Sequence, residues 1–152
     1  MDESQAQLDG FIDKFTPEVA ALARALLDRM KARIPGATIP VYDNYNALAI
    51  GFGATDRVKD VILSLAVMPR WVTLCFMWGV RLSDPHGLLK GEGSQVRNVR
   101  LYEADALDDP RIDALIEQAL DHADRPIDPS GPHRLVIKSV SEKQRPRRPK
   151  EG

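Results

Sequence analysis

Two stretches near the start of the chain carry apolar residues at helical spacing. Ser4 is placed to cap a short first helix, and its apolar positions are Leu8, Phe11, Ile12 and Phe15. Thr16 is an N-cap residue followed by a proline, and Pro35 with Gly36 ends the second pattern. We therefore expect a second helix over residues 17–34, whose apolar stripe is Val19, Leu22, Leu26, Met30 and Ile34.

Four segments with strand character follow, separated by short gaps. They are residues 38–42, 47–53, 61–67 and 71–78. In the second segment three bulky residues alternate with alanine and glycine, so one strand face is bulky and the other nearly bare. A bare face either lets a helix approach closely or leaves space for a ligand, and the pattern is compatible with both.

A glycine-rich connection over residues 79–94 leads to a fifth predicted strand, residues 96–102. Asp108, Asp109 and Pro110 then open a last helix, and residues 135–140 are a candidate for a further strand. This order predicts an α+β fold with N-terminal helices, an antiparallel sheet of five or more strands and a C-terminal helix packed on the sheet.

The patterned apolar positions end at Val140. We therefore place a single α+β domain at residues 4–140 and expect residues 141–152 to be a basic, proline-rich, disordered tail. The chain has 152 residues, is 43% apolar and carries a net charge of -1, which is typical of one globular domain. Its only cysteine, Cys75, has no partner for an internal disulfide. No apolar run is long enough for a membrane span, so we expect a cytoplasmic protein with no membrane partner.

Charge is distributed unevenly along the chain. Residues 1–122 carry 18 acidic and 13 basic side chains, whereas residues 123–152 carry 4 acidic and 8 basic ones. A basic tail attracts nucleic-acid phosphates without sequence preference, but this one has no aromatic residue on which a base could stack. Nucleic acid is therefore expected as a partner only through the tail, and a solubilising terminus is the simpler interpretation.

The glycine-rich connection and its flanks resemble a known family. The shared residues there are Phe76, Gly79, Leu82, Asp84, Pro85, Gly87, Leu89, Gly91, Gly93 and Arg97. Further shared stretches are residues 42–46, 51–53 and 69–72. Together they resemble the YdhG-like domains, a bacterial family of unknown function, over about residues 8–120.

The resemblance implies a small α+β domain with a curved antiparallel sheet and, as its one functional idea, a frataxin-like role in handling intracellular iron. No histidine or cysteine pair has the spacing of a dedicated transition-metal site, so iron would have to bind surface carboxylates. The candidate iron ligands around the last helix are Asp105, Asp108, Asp109, Asp113 and Glu117. The simpler interpretation is that these acids cap the helix and face solvent.

A second group of candidates is polar and aromatic and lies at strand ends and in connections, where binding groups are commonly mounted. Its members are Tyr42, Asn44, Tyr45, Arg70, Trp71, Trp78, Asp84, Arg97 and Arg100. We expect several of them to converge on a pocket at one end of the sheet that binds a small molecule or a protein segment. The structural alternative is an ion pair between Asp84 and Arg97 that pins the glycine-rich connection.

No set of acid, base and nucleophile stands at catalytic spacing. Ser64 and Ser83 lack a nucleophile elbow, and Cys75 lies among the apolar residues of a predicted strand. The sequence therefore favours a non-enzymatic binding or accessory module, without excluding an enzyme whose groups converge from distant positions. The alternative is an iron chaperone that uses surface carboxylates.

Overall fold

The computed structural model describes residues 3–149, which form helices and one mixed sheet. The helices are α1 (Glu3–Ile12), α2 (Pro17–Arg33) and α3 (Pro110–Asp121). The strands are β1 (Thr38–Asp43), β2 (Leu48–Gly53), β3 (Val61–Val67), β4 (Val72–Phe76), β5 (Arg97–Leu101) and β6 (Arg134–Val140). The α+β class, the N-terminal helices and the helix on the sheet are confirmed.

The signals read from the sequence explain where α2 begins and ends. The hydroxyl of Thr16 accepts a hydrogen bond from the backbone N–H of Val19 at 3.3 Å, and Pro17 occupies the first turn. At the other end, the N–H of Ile34 donates to the carbonyl of Met30 at 2.8 Å. The helix therefore lies within one residue of its predicted range.

The sheet has the strand order β5-β4-β3-β2-β1-β6. Strands β1 to β5 pair antiparallel, as predicted, but β6 pairs parallel to β1, with Arg134 opposite Thr38. The predicted antiparallel sheet is therefore confirmed over five strands, and β6, for which the sequence predicts no direction, adds to it in parallel. The reason is that α3 and the connection after it carry the chain back to the start of β1, so β6 runs in the direction of β1.

Gly36 lets that connection pass close to the chain at the start of β1. Its backbone φ is +82°, a conformation that residues other than glycine rarely adopt. A Cβ atom added at Gly36 would also meet the carbonyl oxygen of Asp128. Glycine at this position therefore permits the connection that sets β6 beside β1.

All three helices pack on the bulky side of the sheet. Leu48, Ile50 and Phe52 of β2 are fully buried and belong to one apolar cluster with Leu26 of α2 and Ile116 of α3. The alternate residues of β2, which are alanine and glycine, face the other way. The helices therefore do not pack on the bare strand face. It forms part of the sheet surface opposite the helices, which we call the open face.

The chain continues past β6 along the end of β1. The N–H of Ser141 donates to the carbonyl of Asp43, and the N–H of Arg145 donates to the carbonyl of Tyr45, both at 2.8 Å. The side chain of Arg147 is only 5% exposed. This placement differs from the disordered tail that the sequence favours. The expected boundary at residue 140 stays a prediction, and residues 150–152 lie outside the described residues.

None of the helices between residues 3 and 149 is long and apolar enough to cross a bilayer.

Candidate functional site

Three of the predicted binding residues lie on the open face. The strand register places Tyr42, Ala49, Ala66, Thr73 and Arg100 in one row across β1 to β5. Four strand spacings separate the two ends of this row, which is about 19 Å. Tyr42 and Arg100 therefore share a face without converging on one ligand-sized point.

Trp71 joins Arg100 at the β5 end of that row. The guanidinium carbon of Arg100 lies 3.9 Å from the centre of the Trp71 ring, and the indole N–H donates to the hydroxyl of Thr73 at 3.0 Å. Cation–π stacking and the hydrogen bond fix the orientation of the ring. These two predicted residues thus bind each other.

The hydroxyl of Tyr42 is buried and has no hydrogen-bond partner among residues 3–149. Burial raises the pKa of Tyr42, and the negative charge of Asp56 raises it further. The phenol is therefore a neutral donor at physiological pH. Asp56 itself pairs with Lys138 of β6 at 3.5 Å.

Asp84 and Arg97 both stabilise the glycine-rich connection, but through separate contacts with its backbone. The carboxylate of Asp84 accepts hydrogen bonds from the backbone N–H groups of Leu88 and Leu89, both at 2.9 Å. Arg97 donates to the carbonyls of Gly93 at 2.6 Å and Val96 at 2.8 Å. Each side chain binds the loop backbone separately, and the alternative of an ion pair between the two is not formed.

The remaining predicted residues are spread further. Asn44 and Tyr45 form the turn between β1 and β2, Arg70 is exposed in the turn between β3 and β4, and Trp78 follows β4. The nine candidates therefore do not line one pocket. Their assignment as ligand-binding residues stays a prediction at each position.

Asn44 and Tyr45 line a depression beside the turn between β1 and β2. Of the nine, only Trp78 lines the cleft at the end of the sheet where β3 begins, β4 ends and α3 ends. We call it the sheet-end cleft. Its apolar floor consists of Val61, Ile62, Phe76, Leu82, Ala119 and Ala123. Its polar and charged lining residues are Lys59, Asp60, Arg81, His122, Asp124 and Arg125.

The mouth of the sheet-end cleft is aromatic and basic. The guanidinium carbon of Arg81 lies 4.0 Å from the centre of the Trp78 ring. Asp60 accepts a hydrogen bond from the hydroxyl of Thr55 at 2.6 Å and pairs with Arg125 at 3.7 Å. Lys59 and Arg81 form no ion pair with any residue from 3 to 149, so the mouth presents two cations that remain able to bind an anion.

The cleft is narrow in its present shape. Its cavity volume is about 40 Å³. Ligand pockets measure roughly 300–1,000 Å³. A ligand must therefore be thin, or the 42% exposed side chain of Trp78 must swing outward to admit it.

Sequence reasoning missed most of this cleft. Its lining comes from three separate stretches, residues 59–62, 76–82 and 119–125. No local sequence motif marks Lys59, Arg81 or Arg125 as a binding residue. Only Trp78, among the binding residues predicted from the sequence, lies in this cleft.

The candidate iron ligands are mostly engaged by arginine. Arg29 pairs with Asp108 at 2.6 Å, and Arg33 pairs with Asp113 at 2.7 Å and with Glu117. Asp105 is exposed in the turn before α3.

Asp109 has a structural role at the start of α3. Its carboxylate accepts from the N–H and the guanidinium of Arg111, which together lower its pKa to about 2. Between residues 3 and 149 no group of three or more histidine, cysteine or acidic side chains is arranged to hold a metal ion.

Cys75 lies on the open face, opposite Ser64 of β3. Burial raises the pKa of the Cys75 thiol, and a hydrogen bond with Ser64 lowers it by less. A protonated thiol is a poor nucleophile. The surroundings of Cys75 therefore resemble those of a packed strand residue rather than those of an activated thiolate.

The chain matches no protein-family model, and neither the curated proteins nor the solved structures provide a match. The resemblance to YdhG-like domains therefore stays a prediction from the residues quoted for it.

Proposed function

We propose that the protein is a non-enzymatic binding or accessory protein that holds a small molecule in the sheet-end cleft. The observation that carries this proposal is the combination of an apolar floor with a few charged groups at one mouth. Concave sites of this composition are the usual form of small-molecule pockets. The proposed site lies at an end of the sheet, as the sequence predicts. Of the binding residues predicted from the sequence, only Trp78 lines it.

The charges at the mouth favour a ligand with one acidic group. Lys59 and Arg81 reach the mouth without an ion-pair partner among the described residues, whereas Asp60 is already bonded to Thr55 and Arg125. The narrow apolar floor favours a thin body, such as one ring or a short alkyl chain. We therefore propose a small aromatic or aliphatic carboxylate as the ligand class.

A binding role fits the polar groups better than catalysis does. They are cations, a carboxylate held by two partners, the exposed Asp124 and one histidine, His122, whose backbone N–H caps the end of α3. Iron handling is not included in the proposed function, because binding would require displacing Arg29 and Arg33 from the predicted ligands.

Tryptophan fluorescence tests the proposal, because Trp78 lines the cleft and Trp71 does not. In a Trp71→Phe variant the remaining emission comes from Trp78 alone. We expect benzoate and hexanoate to change it saturably, and benzamide, which is neutral, to bind at least tenfold more weakly. Arg81→Gln should remove that preference for the acid. Emission that does not respond to either carboxylate at millimolar concentration would contradict the proposal.

A further inference from the structure

A fully buried carboxylate lies at the end of β1. Asp43 has no exposed side-chain surface, yet it carries a charge. One of its oxygens accepts a hydrogen bond from the Lys14 ammonium at 2.7 Å, and the other accepts from the Arg147 guanidinium at 2.8 Å. Burial of a charge in this way requires partners of opposite charge.

The surroundings of the Arg147 side chain match the chemistry of a guanidinium group. The Nη2 atom also donates to the carbonyl of Asn44 at 2.5 Å, and Nη1 donates to the carbonyl of Tyr45 at 3.5 Å. The guanidinium carbon lies 5.8 Å from the centre of the Phe15 ring. A carboxylate, two carbonyls and an aromatic ring are the features by which proteins select arginine over lysine.

Residues 141–149, which we call the strap, carry Arg147 into this site mainly through polar contacts. Gln144 donates to the carbonyl of Asp43 at 3.1 Å, and Arg148 donates to the carbonyl of Lys14 at 3.2 Å. The strap contributes no residue to the apolar core. In addition, the Nε atom of Arg147 is buried without a hydrogen-bond partner among the described residues. The groups that contact the Arg147 guanidinium thus belong to the folded domain. Arg147 itself belongs to a segment with few apolar contacts.

We propose that Asp43, the carbonyls of Asn44 and Tyr45 and the ring of Phe15 form an arginine-binding site, filled by Arg147 of the same chain. When Arg147 is absent or the strap detaches, the site binds an arginine side chain presented by another peptide. The ligand class is a peptide of the Arg-Pro-Arg-Arg-Pro type, the sequence of residues 145–149. A tethered occupant acts at an effective concentration of about millimolar, so it excludes a micromolar competitor.

The test uses the full chain with Arg147→Ala and a fluorescent, end-blocked peptide of sequence RPRRP. Peptide anisotropy should show binding to this variant at least tenfold tighter than to the native chain, whose site is filled. Replacing the third residue of the peptide by lysine should weaken binding at least fivefold, since a lysine ammonium cannot reproduce the planar guanidinium contacts. The matched control is Arg145→Ala, which should bind the peptide as weakly as the native chain.

Equal affinity of the peptide for the native chain and for Arg147→Ala would overturn the proposal. So would an affinity that is unchanged by lysine at the third position, because attraction by charge alone would then suffice. If Arg147→Ala does not fold by itself, the peptide should restore its circular dichroism spectrum and the lysine-containing peptide should not; failure to restore it would also overturn the proposal.

A further arm distinguishes the sources of the arginine. The Arg147→Ala chain retains the arginine-binding site, whereas the Asp43→Asn chain retains Arg147. A heterodimer formed on mixing these two chains identifies a second copy as a source, and peptide binding without a heterodimer identifies a different chain.

Discussion

Arg33 on α2 and Asp113 on α3 form an ion pair in which Nε and Oδ1 lie 2.7 Å apart. Arg33 also reaches Glu117 one turn further along α3, and Arg29 pairs with Asp108 just before that helix. These pairs fasten α2 to the segment that carries the candidate iron ligands. Arginine side chains therefore bind three of the candidate metal ligands, Asp108, Asp113 and Glu117.

Replacement of Arg33 by alanine should lower the free energy of unfolding by about 1 kcal/mol, because two partly exposed ion pairs are lost. The effect should fade at high salt, which screens such pairs. Urea denaturation at low and at high ionic strength measures both. Arg57→Ala, at an exposed site, is the matched control and should change stability by less than about 0.5 kcal/mol. Equal losses in the two variants would contradict this account of the ion pairs.

Iron should bind weakly. Ferrous iron in anaerobic calorimetry should show a dissociation constant no tighter than about 10⁻⁴ M, since the carboxylates must first release their arginines. Combined replacement of Asp105, Asp108, Asp109 and Asp113 by asparagine should abolish that binding. Tight, stoichiometric binding that survives the four replacements would place the iron elsewhere and would favour the alternative function, iron handling, over the proposed one.

Stability should depend on pH through Asp43. Burial raises the pKa of Asp43, but the contacts with Lys14, Gln144 and Arg147 outweigh it and hold the pKa below its usual value. A lowered pKa in the folded state stabilises the fold above the unfolded pKa of about 4, and this stabilisation is lost as pH falls through the folded value.

Asp43→Asn should therefore cost about 3 kcal/mol at pH 7, where it leaves Arg147 and Lys14 without their buried carboxylate. The difference from the native chain should shrink as pH falls below about 4. Denaturation curves at pH 7 and pH 3 measure it. A difference that is the same at both values would show that Asp43 is not an ionised, paired group in the folded state.

The strap should be protected from trypsin by the Asp43–Arg147 contact. The cleavable bonds there follow Lys143 and Arg147, because Arg145 and Arg148 each precede a proline. In the native chain we expect slow cleavage after Arg147, and Arg147→Ala should accelerate cleavage after Lys143. Cleavage at both sites at the rate of an unstructured peptide would support the disordered tail from residue 141.

Local patterns predicted the strands well where a bulky apolar residue recurs at every second position. Residues 61–67 form β3 as predicted, and the bulky side chains of β2 face the core. The parallel pairing of β6 depends on where α3 delivers the chain, which no local pattern encodes. The burial of Arg147 depends on Asp43, 104 positions earlier, and the strap is otherwise as polar and proline-rich as a disordered tail. No local pattern encodes the sheet-end cleft either, because its lining comes from three stretches that are distant in sequence.

We propose the sheet-end cleft, and not the open face, as the ligand site. Backbone amide NMR during titration with benzoate tests it most directly. We expect saturable shifts confined to residues 59–62, 76–82 and 119–125, and their loss in Ala119→Phe, whose ring fills the floor of the cleft. Shifts that follow the row from Tyr42 to Arg100 on the open face, or that persist in Ala119→Phe, would contradict it.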